Sequence, residues 1–231
     1  MVEQNKALVR RWIDEVLTRG DVRLVDELFA PNYVLHDPGF AYEVRGGDGI
    51  KRFAATFRAA SPDVRFAVED QIAEGDMVVT RWTARGTRLG EFLEIPPSGN
   101  RMTVTGIEFD RVLAGKIDEA WVSYHLFTEG ALDPGRVKRA FDMIHDAFPD
   151  LRVTQANKVA EKDKVAFRWM MSGTHEGEFM GVAPTGKRVA VMGMDIVRVG
   201  DGEILGYWGE FDVVSMLRQL GITPPLERTE S

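Results

Sequence analysis

Apolar positions in the first third of the chain fall at helical spacing. From Glu3 to Leu17 they recur as Ala7, Leu8, Trp12, Ile13 and Val16, and Gly20 follows as a stop, which predicts an amphipathic helix. A second, short helix is expected from Asp21, a suitable N-cap, through Leu24, Val25, Leu28 and Phe29 to Pro31, with a short strand over Asn32 to His36. A third runs from about Asp48 to Ala60 with Ile50, Phe53, Ala54 and Phe57 on one face, and Ser61-Pro62-Asp63 ends it. The period then changes to that of strands, over Val64 to Ala73, Met77 to Arg88, Arg101 to Leu113 and Ile117 to Phe127. Gly75-Asp76 and Ala114-Gly115-Lys116 are short enough to be hairpin turns, so the pairing should be largely antiparallel.

The same pattern then returns. Asp133-Pro134-Gly135 reads as a cap followed by proline at the first helical position, ahead of an apolar stripe of Val137, Phe141, Ile144 and Phe148. Strands over Leu151 to Ala160, Lys164 to His175, Arg188 to Val199 and Ile204 to Phe211 follow, and a closing helix over Val213 to Leu220 ends at Gly221 and the Pro224-Pro225 tail. The correspondence holds at residue level with a constant offset of 87 and no gap. Pro62-Asp63 falls on Pro149-Asp150, Arg81-Trp82 on Arg168-Trp169, Gly86-Thr87 on Gly173-Thr174, Gly106 on Gly193 and Trp121 on Trp208. The chain is therefore expected to be a tandem duplication, with a complete unit over residues 1–130 and a shortened one over 131–231 that lacks the two opening helices. Helices followed by a meandering sheet make an α+β unit in which the helices cover one face of a curved antiparallel sheet.

Composition narrows the function. The 231 residues are 44% hydrophobic and 28% charged, with no cysteine and no apolar run long enough to span a bilayer. The N-terminus has no apolar stretch of signal type, which places the expected location in the cytoplasm. A formal net charge of -7 and scattered basic residues argue against nucleic acid as a partner. There is no phosphate-binding glycine loop and no dinucleotide fingerprint. The four histidines His36, His125, His145 and His175 show no close ligand spacing, so neither metal nor cofactor is expected.

Several segments carry a resemblance. Phe148-Pro149-Asp150-Leu151, the run from Gly173 through Thr174-His175-Glu176-Gly177-Glu178-Phe179 to Gly181, Pro184-Thr185-Gly186-Lys187-Arg188, Trp208 with Asp212 four residues on, and Gln219-Leu220-Gly221 closely resemble the SnoaL-like polyketide cyclase family. Leu28-Phe29-Ala30-Pro31-Asn32-Tyr33 running into His36-Asp37-Pro38 resembles the same family's opening. The resemblance implies the nuclear transport factor 2-like cone fold and a hydrophobic small-molecule substrate. It also implies an aspartate at the position of Asp212 as acid/base of an intramolecular aldol closure. Alternation along the last strand expects Ile204, Gly206, Trp208, Glu210 and Asp212 on one face, which would desolvate the carboxylate beside an indole. Asp212 is equally well placed to cap the closing helix.

His175 is the second catalytic candidate, as a neutral imidazole able to donate to a substrate oxygen. In the first copy Arg88 stands at its position and His125 at that of Asp212, so the acid/base positions differ between copies, and His125 with His36 forms an alternative pair. Trp208, Trp121, Arg88, Glu210 and Tyr124 are candidate substrate contacts, with core packing the competing role for the tryptophans. Met170, Met171, Met180, Met192 and Met194 either line an adaptable pocket or fill core. Glu108 and Asp195 coincide at the repeat offset, and a repeated ion pair with Arg111 and Arg198 would account for them structurally. The rival functions are a non-catalytic ligand-binding or scaffold protein and a hydrolase, isomerase or dehydratase on the same fold. The resemblance also implies that the two copies form an internal pseudo-dimer, with a homodimer as a further alternative.

Overall fold

The computed structural model describes residues 1–37, 43–91, 96–125 and 134–222, and the chain divides into two units. Unit 1 comprises Met1–Glu129 with Val159–Lys162, and unit 2 comprises Gly130–Lys158 with Asp163–Ser231. Both are α+β.

Unit 1 begins with α1 (Val2–Arg11), which continues without a break as a π-helical stretch, Trp12–Thr18. The expected single helix is thus two windings of one cylinder, and the wider turn begins at Trp12. A 3-10 turn (Val22–Leu24), capped by Asp21, leads into α2 (Val25–Leu28). Strand β1 (Phe29–His36) starts earlier than the sequence suggests, because Pro31 lies between Phe29 and Val34, where the register shifts and a missing N–H is tolerated. After β2 (Val44–Arg45) and α3 (Gly46–Ala60) come β3 (Arg65–Glu74), β4 (Met77–Thr87), β5 (Arg101–Leu113) and β6 (Lys116–His125). The six strands form one sheet in the order β2-β1-β6-β5-β4-β3, antiparallel except where β1 lies parallel to β6.

Register assigns each side chain to a face. Trp82–Gly106–Tyr124, Thr80–Glu108–Val122 and Val78–Asp110–Ala120 point one way, while Thr83–Thr105, Arg81–Ile107–Ser123 and Val79–Phe109–Trp121 point the other. The first set faces the helices, since Val78, Trp82, Ala120 and Val122 share a core with Trp12, Ile13, Ile50 and Phe53. An aromatic chain crosses that core: Trp12 meets Phe29 edge-on at 5.0 Å, Phe29 meets Tyr33 at 4.7 Å, and Phe66 lies 5.3 Å from Trp82.

Unit 2 contains α4 (Pro134–Ala147), β7 (Arg152–Glu161), β8 (Lys164–Thr174), β9 (Arg188–Gly200), β10 (Glu203–Phe211) and α5 (Val213–Leu220), with sheet order β10-β9-β8-β7. It has no counterpart of α1, α2 or β1 among the described residues. Its inner face carries Trp169, Met171, Val189, Val191 and Phe211, which pack with Ile144 and Ala147 of α4, Phe148 just after it, and Met216 and Leu220 of α5. The closing helix therefore covers this shorter sheet. Fully burying a side chain such as Phe148 stabilises by about 1.5–3 kcal/mol. Gly221 ends α5 in the left-handed conformation (φ 80°) that glycine adopts without strain. The expected Asp133 cap and the Pro224-Pro225 tail lie outside the described residues.

The repeated motifs have physical reasons. Asp63 accepts hydrogen bonds from the Thr87 amide (2.7 Å) and hydroxyl (2.8 Å), and Asp150 does the same for Thr174 (2.5 and 2.9 Å), which pins each helix-to-strand turn to the end of the second strand. Gly106 and Gly193 lie under the indoles of Trp82 and Trp169, so that a Cβ at either position would collide with the ring.

Candidate functional site

Three sequence expectations are corrected by this geometry. A bulge between Ile204 and Gly206 breaks the expected row on β10, leaving Ile204 and Leu205 exposed, and Asp212 falls after the strand's end. The methionines do not line one surface: Met171 is on the inner face, Met170, Met192 and Met194 share the other with Met170 opposite Met192, and Met170 and Met180 are exposed. The repeated ion pair is absent, because Glu108 and Arg111 project from opposite faces of β5. Arg111 instead pairs with Asp118 (2.7 Å) and Glu119 (2.9 Å).

In unit 2 the carboxylate of Asp195 is buried on the inner face and held by two donors, Trp169 Nε1 at 2.7 Å and the Tyr207 hydroxyl at 2.8 Å. Burial raises its pKa to about 6 against the opposing pull of those two bonds. His175 follows β8 and is completely buried against Phe148, with ring centroids 5.3 Å apart. The Thr185 amide donates to its Nδ1 (3.3 Å), and the Thr185 hydroxyl lies 3.1 Å from the same atom. An accepting Nδ1 places the imidazole hydrogen on Nε2, which has no partner. Burial also pushes the His175 pKa down, so the ring is neutral.

The loop that carries His175 repeats in backbone alone. His175 N–H donates to Lys187 O and its carbonyl accepts from Gly186, and Arg88 makes the matching bonds to Asn100 and Gly99. Asp212 is the N-cap of α5: its Oδ1 accepts from Ser215 N–H at 2.8 Å. His175 and Asp212 are not hydrogen-bonded to each other. Trp208 and Glu210 stand opposite Ile196 and Met194, on the face away from Asp195.

In unit 1, His36 lies beside Glu119, with Nε2 at 2.9 Å, and stacks on Trp121 at 5.2 Å. Its cross-strand partner Trp121 shares the outer face of β6 with the position of His125, whose side chain is outside the described residues. Tyr124 is on the inner face, where its hydroxyl donates to Asp37 at 3.1 Å. Near it, sequence reasoning underrated a group. Glu108 and Asp110 are both buried on the inner face of β5, with Tyr33 and Trp12 buried beside them. Two acids separated by one residue within an apolar strand were the available signal. Among the described residues, no three His, Cys, Asp or Glu side chains are grouped to hold a metal, and no helix is long and apolar enough to cross a membrane.

A sheet curved around helices, repeated in tandem with buried ionisable groups on both inner faces, defines a protein of the nuclear transport factor 2-like fold. The family model of the SnoaL-like polyketide cyclases matches residues 7–131 and again 129–220, so the chain belongs to that family as a tandem duplication. Solved structures similar to it include a SnoaL-like protein from Jannaschia sp. CCS1, 26% identical, covering 53% of this chain and 86% of its own, with a TM-score of 0.48. IdmH from Streptomyces antibioticus is 32% identical, covering 52% of this chain and 91% of its own at a TM-score of 0.47, and TsrD from Streptomyces laurentii is 27% identical, covering 53% and 88% at 0.48. A comparison with curated proteins returns no match.

Proposed function

We propose that the protein is a cofactor-independent acid/base catalyst acting on a hydrophobic, carbonyl-bearing, polyketide-like molecule of secondary metabolism, by aldol-type cyclisation or a related proton transfer. Unit 2 carries this chemistry, and the reading places it in the cytoplasm. The supporting observation is His175. A buried donor without an acceptor costs roughly 1–3 kcal/mol, and a substrate carbonyl oxygen at Nε2 would remove that cost while being polarised by it. Asp212 would move the proton, its carboxylate oriented by the bond from Ser215.

The test is turnover of a panel of β-keto esters by Asp212→Asn and His175→Gln. Asparagine still caps a helix, so loss of activity by about 100-fold or more reports proton transfer and not folding. Activity within a few-fold of the parent removes Asp212 from the mechanism. A second reading is favoured by the position of Asp195 on the inner face, where a carboxylate titrating at about 6 would serve as the base. Under that reading Asp195→Asn is inactive and Asp212→Asn is not.

A further inference from the structure

We propose that the inner face of unit 2 docks an amphipathic helix of another protein, acidic along its N-terminal half. The duplication shows what such a face requires. In unit 1 the helix formed by α1 and its π-helical continuation lies on β3, and α1 reaches β4 and β6. It sets Val9, Trp12, Ile13 and Val16, at the i, i+3, i+4 and i+7 spacing of a groove-bound helix, into one core with Ala54, Phe66, Val112 and Ile117. At the repeat offset those last four positions become Phe141, Val153, Val199 and Ile204. Ile204 is 52% exposed where Ile117 is 0%, and Val153 59% where Phe66 is 7%. Phe141 and Val199 are exposed as well, whereas Ala54 and Val112 are buried. Unit 2 has kept the apolar seat but has no opening helix among the described residues to fill it.

Area favours a helix over a second copy of the same face. α4 and α5 cover only the part of the sheet around Trp169, Met171, Val189 and Val191. The four exposed side chains present roughly 400 Å2 of apolar surface, as much as the largest patch of a typical monomer and about half of what each partner buries in a stable dimer. A helix of 17 residues, as long as Val2–Thr18, is about 25 Å by 10 Å and matches that footprint.

Polar groups at the rim set the occupant's charge and direction. In unit 1, Gln71 serves the N-terminal half of the covering helix: its Nε2 donates to the Lys6 carbonyl (3.2 Å) and its Oε1 accepts from Arg10 (3.3 Å). The counterpart of Gln71 is Lys158, an exposed cation. It lies on the inner face, because its neighbour Asn157 turns the other way to accept from Arg168 at 2.7 Å, and Arg168 stands opposite Met194. A carboxylate on the docked helix would pair with Lys158, whereas α1 of a second copy would bring Lys6 and Arg10 against it. At the far end Arg58 donates to the carbonyl of Thr18, the last residue of the covering helix, at 3.0 Å. Its counterpart is the exposed His145, which offers the same kind of donor to a helix C-terminus. The surface uses neither His175 nor Asp212 and does not depend on the acid/base chemistry of unit 2.

The probe is a fluorescein-labelled peptide of residues 2–18 carrying K6E and R10E, titrated with the full chain and read by anisotropy. Salt at about 0.15 M screens the long-range repulsion between two net-negative molecules. The peptide should bind saturably and about 5-fold or more tighter than the unsubstituted 2–18 peptide, and K158E should reverse that order. I204D and V153D, both at exposed positions, should each weaken binding about 10-fold while the circular dichroism spectrum stays unchanged. Absence of saturable binding up to about 1 mM overturns the proposal, as does a peptide preference that K158E leaves unaltered. Binding that survives both I204D and V153D would place the peptide in unit 1 by displacement of α1, and overturns it too. Sedimentation of the chain alone tests the other occupant: a dimer that I204D dissociates and the peptide cannot displace assigns the face to a second copy, against the proposal.

Discussion

Replacing Asp195 by asparagine should remove a defined part of the protein's pH dependence. In the folded chain this carboxyl titrates at about 6, against an ordinary value of 3.8. Between those two values the unfolded chain has released a proton that the folded chain still holds, so stability falls as pH rises. The contribution is fully present below about pH 4 and is lost as pH passes through about 6. Each pKa unit corresponds to about 1.4 kcal/mol, so the loss amounts to about 3 kcal/mol. Asparagine has no such titration. Its carbonyl can accept from Trp169 while its amide donates to the Tyr207 oxygen, so the two bonds that hold Asp195 survive in number. Urea unfolding at pH 4, 5, 6 and 7, read by tryptophan fluorescence, should show the two proteins converging or crossing. The variant should gain about 2 kcal/mol on the parent between the lowest and highest pH, the rest of the effect lying below pH 4. Parallel curves, with a difference constant to within about 1 kcal/mol, would mean that Asp195 titrates normally and that its burial imposes no charging cost.

Two further outcomes follow from packing and capping. Gly106→Ala and Gly193→Ala each push a methyl group into an indole and should destabilise by about 1–3 kcal/mol in thermal melts, and Trp82→Phe or Trp169→Phe on the matching strand should recover part of that loss. Asp212→Ala should cost about 1 kcal/mol through the lost cap at Ser215 whatever its effect on turnover, whereas Asp212→Asn should melt within a few degrees of the parent.

Much of the fold was legible because it rests on local periodicity read twice. The helix over Val213–Leu220 and its stop at Gly221 needed only an apolar stripe, an aspartate and a glycine, and the structure has all of them in place. The four long strands of each sheet were similarly evident, whereas β2 (Val44–Arg45) was not anticipated. The bulge at Leu205 was not, because nothing in Glu203-Ile204-Leu205-Gly206 marks which residue will be left unpaired. The site was less accessible than the fold. Asp212 could be read as a cap from its neighbours alone, but the buried state of Asp110 depends on groups such as Trp12 and Tyr33 brought to β5 from far along the chain. Likewise, the Thr185 amide reaches His175 across a loop whose path no local pattern specifies.

The pairing of a glycine with the indole across from it bears on how the duplicated gene has aged. At Trp82–Gly106 and Trp169–Gly193 neither residue can change first: enlarging the glycine collides with the ring, and shrinking the ring opens a void over a residue that cannot fill it. A drifting copy would have to cross a valley of reduced fitness to leave this arrangement. The two pairs therefore act as fixed landmarks, and they explain why the copies still share a register long after their inner-face chemistry diverged.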